Sequence, residues 1–350
     1  MIFIVLFTLT GIVIGNEEFL NEINFYPKGK EDYFFKAISD LAIVGEYLFA
    51  VVNLEHKMLK FSIKEKFKYI KSIGKQGEGP GDLTYPVKIS IWNGVIAVCD
   101  TRTVSFFDLD GNFLRSFRIF HGRSNFVYVN RRIYYLNSSP DSKYLIEVYN
   151  EYGKKISEFG TKFLKVNFSL FKGLSPFNVE DLIYGGFFGN HLLSDGFYIF
   201  YLNSKFGNII KFKLDGTKLA ETNVSLSFGE KGKKLLKENE KIWIETGLDL
   251  RKTNYMVMEY NLFRDAYLYG DHLYLMEESI KVGEKLNEGI INILVLDKNT
   301  LKLAKSYKIK KIQEESFQCL SLCEQDRKRF FISKTTEKGE IVISEYRERE

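Results

Sequence analysis

The chain has 350 residues, 45% of them apolar, with 31 Phe and 21 Tyr and a formal net charge of +5 from 50 Lys+Arg against 45 Asp+Glu. That apolar share excludes a wholly disordered chain, and the aromatic content suits pleated, half-buried strands. The two signs of charge are mixed, which excludes a nucleic-acid binder built on one basic stripe; even the densest basic run, Lys231–Lys241, is broken by Glu238 and Glu240 and reads as a solvated face.

Met1–Gly15 is apolar throughout, with the small residues Val13 and Gly15 at the −3 and −1 positions of a cut after Gly15. As a helix it would span roughly 22 Å, short of a bilayer core of about 30 Å. It reads as a signal peptide, though without a basic n-region, so the mature chain is expected from Asn16 in an exported compartment. An uncleaved anchor is the other reading of this segment. No other stretch approaches a transmembrane span.

From Leu41 onward one four-strand unit is written about six times. Its first half is a hairpin turning at Gly45-Glu46, Asn93-Gly94, Asn130-Arg131-Arg132, Asp195-Gly196, Gly270-Asp271 and Gln325-Asp326-Arg327. Its second half shares one register in Val104–Phe117, Ile146–Phe159 and Ile209–Thr222, with looser copies at Met58–Ile73 and Ile293–Tyr307. Such repeats predict an all-β six-bladed β-propeller of four-stranded antiparallel blades. The strands are lettered A to D from the axis outward. The blades are expected at 41–73, 87–119, 126–159, 192–224, 266–309 and 320–346, in one domain spanning 16–350. Asn93-Gly94, Asp195-Gly196, Asp110-Gly111 and Asp215-Gly216 are pairs that favour tight hairpins, because they tolerate positive φ.

Blade six runs out after Ile341–Tyr346 and lacks its outer strand. The segment 18–26, with Phe19, Ile23 and Phe25 alternating, is expected to supply it and close the ring, since an open edge invites aggregation. Two D–A connections, 161–191 and 227–265, are much longer than the rest. The second contains Lys233–Leu250, whose apolar residues have helical spacing. D–A and B–C connections emerge at the same end of a propeller, so both insertions are expected over one loop-rich face, read here as the binding face.

Ile73–Phe117 resembles an NHL repeat, and more closely the bacterial exported six-bladed propellers in which a Gly-Glu-Gly-Pro-Gly segment precedes a blade. The residues that carry it are Gly74, Gly77, Gly79, Pro80, Gly81, Pro86, Asp100, Thr101, Asp108 and Gly111. The motif is well formed in this blade and thins elsewhere. The resemblance implies the fold and export, and carries over no catalytic residues. Gly77–Gly81 itself is not a phosphate loop: Pro80 has no N–H, Glu78 and Asp82 repel an anion, and no Lys-Ser/Thr follows. Pro80-Gly81 instead suits the centre of a type II turn.

The ends of the B strands carry Asn53, Asp100, Asn137, Asn203 and Glu277, with Lys334 in that place in blade six. They are expected to ring one mouth of the channel, where Ca²⁺, which takes six to eight oxygens, is the ion they would suit. The cluster resembles that of propeller lactonases, which makes a metal-dependent hydrolase the alternative function. Against it, Lys334 opposes a cation, and Asp or Asn is the ordinary residue to open a B–C turn, so no cofactor is expected. Arg102, with Glu55 and Lys205, adds charge on the B–C loops for a polar ligand. Cys99 reads as a buried apolar residue, and Cys319 and Cys323 could bridge only on a helical turn, being too far apart in a strand. The four histidines read as exposed or loop residues, and no Gly-x-Ser-x-Gly nucleophile turn is present. The expectation is therefore a non-catalytic exported propeller that binds a protein, peptide or glycan through its loop-rich face, with no nucleic-acid partner.

Overall fold

A computed structural model describes residues 17–26, 35–65, 67–100, 103–119, 125–137, 142–162, 190–204, 206–228, 262–277, 290–310, 316–324, 328–336 and 338–348. The segment 1–15, most of both long insertions (163–189 and 229–261), Arg102 and Lys205 lie outside the described residues. Strand β1 (Glu17–Tyr26) comes first. Blade one follows as β2 (Asp40–Val44), β3 (Tyr47–Val52), β4 (Lys57–Ser62) and β5 (Lys68–Ile73). Blade two is β6 (Lys88–Trp92), β7 (Val95–Cys99), β8 (Thr103–Asp108) and β9 (Phe113–Arg118). Blade three is β10 (Phe126–Val129), β11 (Arg132–Leu136), β12 (Tyr144–Asn150) and β13 (Lys155–Thr161). Blade four is β14 (Asn190–Ser194), β15 (Tyr198–Asn203), β16 (Asn208–Lys213) and β17 (Lys218–Asn223). Blade five is β18 (Phe263–Tyr269), β19 (His272–Glu277), β20 (Ile290–Asp297) and β21 (Leu303–Lys310). Blade six has β22 (Ser316–Glu324), β23 (Lys328–Thr335) and β24 (Ile341–Glu348).

The missing outer strand of blade six is β1. It pairs antiparallel with β24 from Leu20↔Glu348 to Tyr26↔Ile343, so the expected closure is present. It also does something the sequence did not suggest. Its first residues, Glu17–Leu20, run parallel to Ser306–Ile309 of β21, so blades five and six form one eight-stranded sheet with β1 at its centre. The Glu22 carboxylate holds the closure on the other side, accepting from Lys334 Nζ at 2.7 Å and Ser344 Oγ at 2.9 Å. The cation expected to oppose a metal ring is thus paired with the closing strand.

The core is a set of six apolar clusters among the described residues, one at each junction between neighbouring blades. Period-two alternation explains this. In β3, Leu48, Ala50 and Val52 pack towards blade six, while Phe49 and Val51 pack towards blade two. A B strand is therefore buried on both faces, which is why its sequence is continuously apolar. Each fully buried side chain of this size contributes about 1.5–3 kcal/mol. Cys99 is fully buried in the junction of blades two and three, and Cys319 and Cys323 are buried free thiols on the extended strand β22.

The turns differ from expectation in detail. Asn130-Arg131 is a two-residue turn with both residues at positive φ, and Arg132 already belongs to β11. Asp110-Gly111 and Asp215-Gly216 are not tight two-residue turns. Gly111 N–H donates to Asp108 O and Gly216 N–H to Lys213 O, each at 3.0 Å, and only the glycine has positive φ. These are longer hairpins closed by a left-handed residue, with a shift in pairing register beside them.

Candidate functional site

The A strands lie closest to the axis, and equivalent positions near their starts meet there. Asp40, Lys88, Asn125 and Asp265 each stand four residues before the last A-strand residue, which is Val44, Trp92, Val129 or Tyr269. His191 and Cys319 fill the matching places in blades four and six, one residue before Leu192 and Leu320. Blades one, three and five thus carry oxygen acceptors, and blades two, four and six carry Lys, His and Cys.

The acceptors are used by the backbone. Asp40 Oδ2 accepts from Ile89 N–H of blade two at 2.9 Å, Asn125 Oδ1 from Leu192 N–H of blade four at 3.2 Å, and Asp265 Oδ2 from Leu320 N–H of blade six at 2.7 Å. Ser90 Oγ accepts from Tyr128 N–H of blade three at 2.9 Å in the same way. Each bond joins an inner strand to the next one round the ring, where an unpaired buried N–H would cost about 1–3 kcal/mol.

The remaining polar groups of the ring meet between neighbouring blades. Lys88 Nζ lies 3.0 Å from Asp40 Oδ1, and His191 Nδ1 lies 3.4 Å from Asp265 Oδ1. Burial works against the Lys88 charge, but the carboxylates of Asp40 and Asp265 outweigh it and raise its pKa, so Lys88 stays protonated. Burial raises Asp265 to about 6. His191 is buried rather than exposed, contrary to the sequence reading. Burial, with Lys88 and Arg264 nearby, holds its pKa well below 6.5 and keeps it neutral. His272 does stand at an A–B turn, opposite Tyr269, as expected.

The B-strand residues singled out from sequence stand one strand further from the axis. Asn53 Nδ2 donates to Tyr85 OH at 3.1 Å, and Asp100 accepts the N–H groups of Thr84 and Tyr85, so the Thr84-Tyr85 segment gathers these two. Asn203 is used within blade four, donating to Tyr201 OH at 3.1 Å and accepting from Phe206 N–H at 2.8 Å. Glu277 accepts Asn292 Nδ2 at 2.6 Å within blade five, and Asn137 is fully buried. Among the described residues no group of three or more His, Cys, Asp or Glu is placed to hold a metal ion. The inner ring was hidden from sequence reading because its six members share a position, not a residue type.

A cleft of about 940 Å³ opens between the 77–84 connection and the outer half of blade two, at the end of the ring where D–A and B–C loops emerge. Its blade wall carries Thr103, Ser105, Ser116 and Arg118, and its loop wall carries Gly77, Glu78, Gly79 and Asp82. Thr103 pairs with Arg118 and Ser105 with Ser116 across β8 and β9, so all four share one face of the blade. The loop holds itself in shape. Asp82 N–H donates to Gly79 O at 3.0 Å with Gly81 at φ +80°, the turn expected from Pro80-Gly81, and Asp82 Oδ2 accepts from Gly79 N–H at 3.1 Å. The opposite end carries a close contact between blades two and four. The Trp92 indole of blade two reaches Gly196 of blade four so closely that a Cβ there would lie 2.1 Å from Cη2, and Asn130 Nδ2 donates to Gly196 O at 3.2 Å.

Fold and site together define a β-propeller stapled at its axis, with a polar cleft at one end. The chain belongs to the family described as 6-bladed beta-propeller, whose profile matches residues 15–242, more than half of it. No curated protein matches the sequence. Among solved structures it is similar to a Bacteroides fragilis NCTC 9343 protein provisionally named as exported. That pair is 13% identical, covering 95% of this chain and 99% of the other, with a TM-score of 0.59. It is also similar to a member of the duf4221 family from Bacteroides vulgatus, 10% identical over 95% of this chain and 99% of that one, with a TM-score of 0.52. At these identities the likeness is one of fold.

Proposed function

We propose that this chain is an exported, non-catalytic recognition propeller that binds its partner at the end of the ring where D–A and B–C loops emerge. The observation that carries the reading is the use made of the buried axial ring. Its oxygens accept backbone N–H groups of neighbouring blades, so the most polar cluster near the axis serves to lock a scaffold. On a locked scaffold, function falls to loops and clefts. The cleft and the described residues from which both long connections depart and return, 162 and 190, 228 and 262, belong to the same end, whereas Trp92 packs on Gly196 at the other. Export is supported by the apolar Met1–Gly15 segment and by the naming of the Bacteroides fragilis relative.

The test uses the chain from Asn16, immobilised and exposed to peptide and glycan arrays. Replacing 229–261 by a short Gly-Ser linker is expected to weaken a hit at least tenfold. Phe197→Ala and Tyr152→Ala, at residues 75% and 71% exposed on the opposite end, are expected to leave it unchanged. The reverse pattern would sink the proposal. Cleavage of the bound partner, abolished by chelation, would establish the metal-dependent hydrolase instead.

A further inference from the structure

The cleft beside blade two has a lining chemistry that narrows its ligand, and this step rests on the recognition reading above. Three features matter. First, the face shared by β8 and β9 presents the hydroxyls of Thr103, Ser105 and Ser116 into one space, and each can both donate and accept. Ser105 is 2% exposed, so its hydroxyl opens on the cleft floor rather than on bulk solvent. Second, the carboxylates of Asp82 and Asp100 are engaged with backbone N–H groups of the 79–85 segment, which fixes the loop wall. Third, one exposed carboxylate, Glu78, stands on the loop wall, and one exposed guanidinium, Arg118, stands on the blade wall.

Those features exclude several ligand classes. A lipid or other apolar ligand would strand the hydroxyls without partners. A polyphosphate or nucleic acid would meet three carboxylates, Glu78, Asp82 and Asp100, against two cations among the described residues, Arg118 and Lys75, the latter already 3.9 Å from Asp82 Oδ1. A polyhydroxylated neutral ligand fits: each of its hydroxyls needs both a donor and an acceptor, which Ser, Thr, Glu and Arg side chains supply together. The volume of about 940 Å³ lies at the top of the range of about 300–1,000 Å³ for small-ligand sites, which leaves room for an oligomer rather than a single ring. We infer that the cleft between the 77–84 loop and strands β8 and β9 is a binding subsite for a neutral oligosaccharide.

The test is calorimetric titration of the chain from Asn16 with cellohexaose, maltohexaose, xylohexaose and mannohexaose. A hyaluronan hexasaccharide and a hexapeptide of mixed sequence serve as comparators. Saturable binding of a neutral hexasaccharide is expected, weakened about tenfold by Ser105→Ala or Glu78→Gln and unchanged by Tyr152→Ala at the other end. Thermal melting of each variant shows whether its fold is intact, and Ser116→Val, on an exposed position, gives a second probe of the same wall. Preference for the acidic sugar or the peptide would overturn the inference, as would no binding of any neutral sugar at millimolar concentration. Binding that depends on 229–261 but ignores Ser105, Ser116 and Glu78 would overturn the subsite alone and leave the recognition end standing. Binding lost only with Tyr152 or Phe197 would overturn both.

Discussion

Gly153 answers two constraints at one position. It closes the C–D turn of blade three at φ +83°, and a Cβ there would sit 2.6 Å from the Phe117 ring of blade two. Gly153→Ala therefore meets both left-handed backbone strain and a clash, and a loss of about 2–4 kcal/mol is expected in urea unfolding. Gly45→Ala, at φ +56° with nothing within 4 Å, should cost only the strain, about 1–2 kcal/mol. Equal losses would show that the approach of Phe117 does not matter. At the axis, the unfolded chain protonates His191 below pH 6.5 while the folded chain resists it, so this group removes stability as pH falls through 6.5. Asp265 acts in the opposite sense, because its buried charge is relieved as pH falls below about 6. His191→Gln should flatten the fall in Tm between pH 7.5 and 5, and Asp265→Asn should steepen it. Unchanged slopes would remove both groups from the account. The B-strand oxygens were legible in the sequence as turn residues, and Asn203, which accepts from Phe206 N–H, behaves so, whereas the Asp100 carboxylate accepts from the distant Thr84 and Tyr85. Lys88, His191 and Cys319 were not legible as a set, since neither residue type nor a constant spacing to the end of the A strand relates them: they stand four, three and five residues before Trp92, Ser194 and Glu324.

Strand β1 shows where a strand pattern stops being informative. The apolar alternation of Phe19, Ile23 and Phe25 and the short sixth blade were enough to expect the pairing with β24. Nothing in that pattern distinguishes one partner from two, so the parallel contact with β21 appears only in three dimensions. Because β1 completes blade six and also touches blade five, a chain beginning at Lys36 should expose the free edges of both β21 and β24. It is expected to self-associate in sedimentation analysis. A synthetic Glu17–Tyr26 peptide added in trans should restore the monomer, and a Glu22→Ala peptide should do so less well, having lost the carboxylate that Lys334 and Ser344 contact. A truncated chain that stays monomeric without peptide would show that closure does not depend on β1.

Across the whole molecule, each apolar cluster is shared by two blades, so no blade owns a core. A single calorimetric transition is expected, with its van't Hoff and calorimetric enthalpies equal. Two separated transitions would show that some junctions yield before others. The architecture was legible because repeats and turn residues recur along the chain. The cleft was not, because its two walls come from the 77–84 connection and the outer strands of blade two, and only their packing encloses a space. The closing strand has a further consequence in time. Glu17–Tyr26 pairs with Ile341–Glu348, and the Glu22–Lys334 contact between these regions joins residues 312 apart along the chain. Contacts that close so long a loop form slowly. The blades are therefore expected to order before the circle shuts, and its closure is the slow step that commits them to one another.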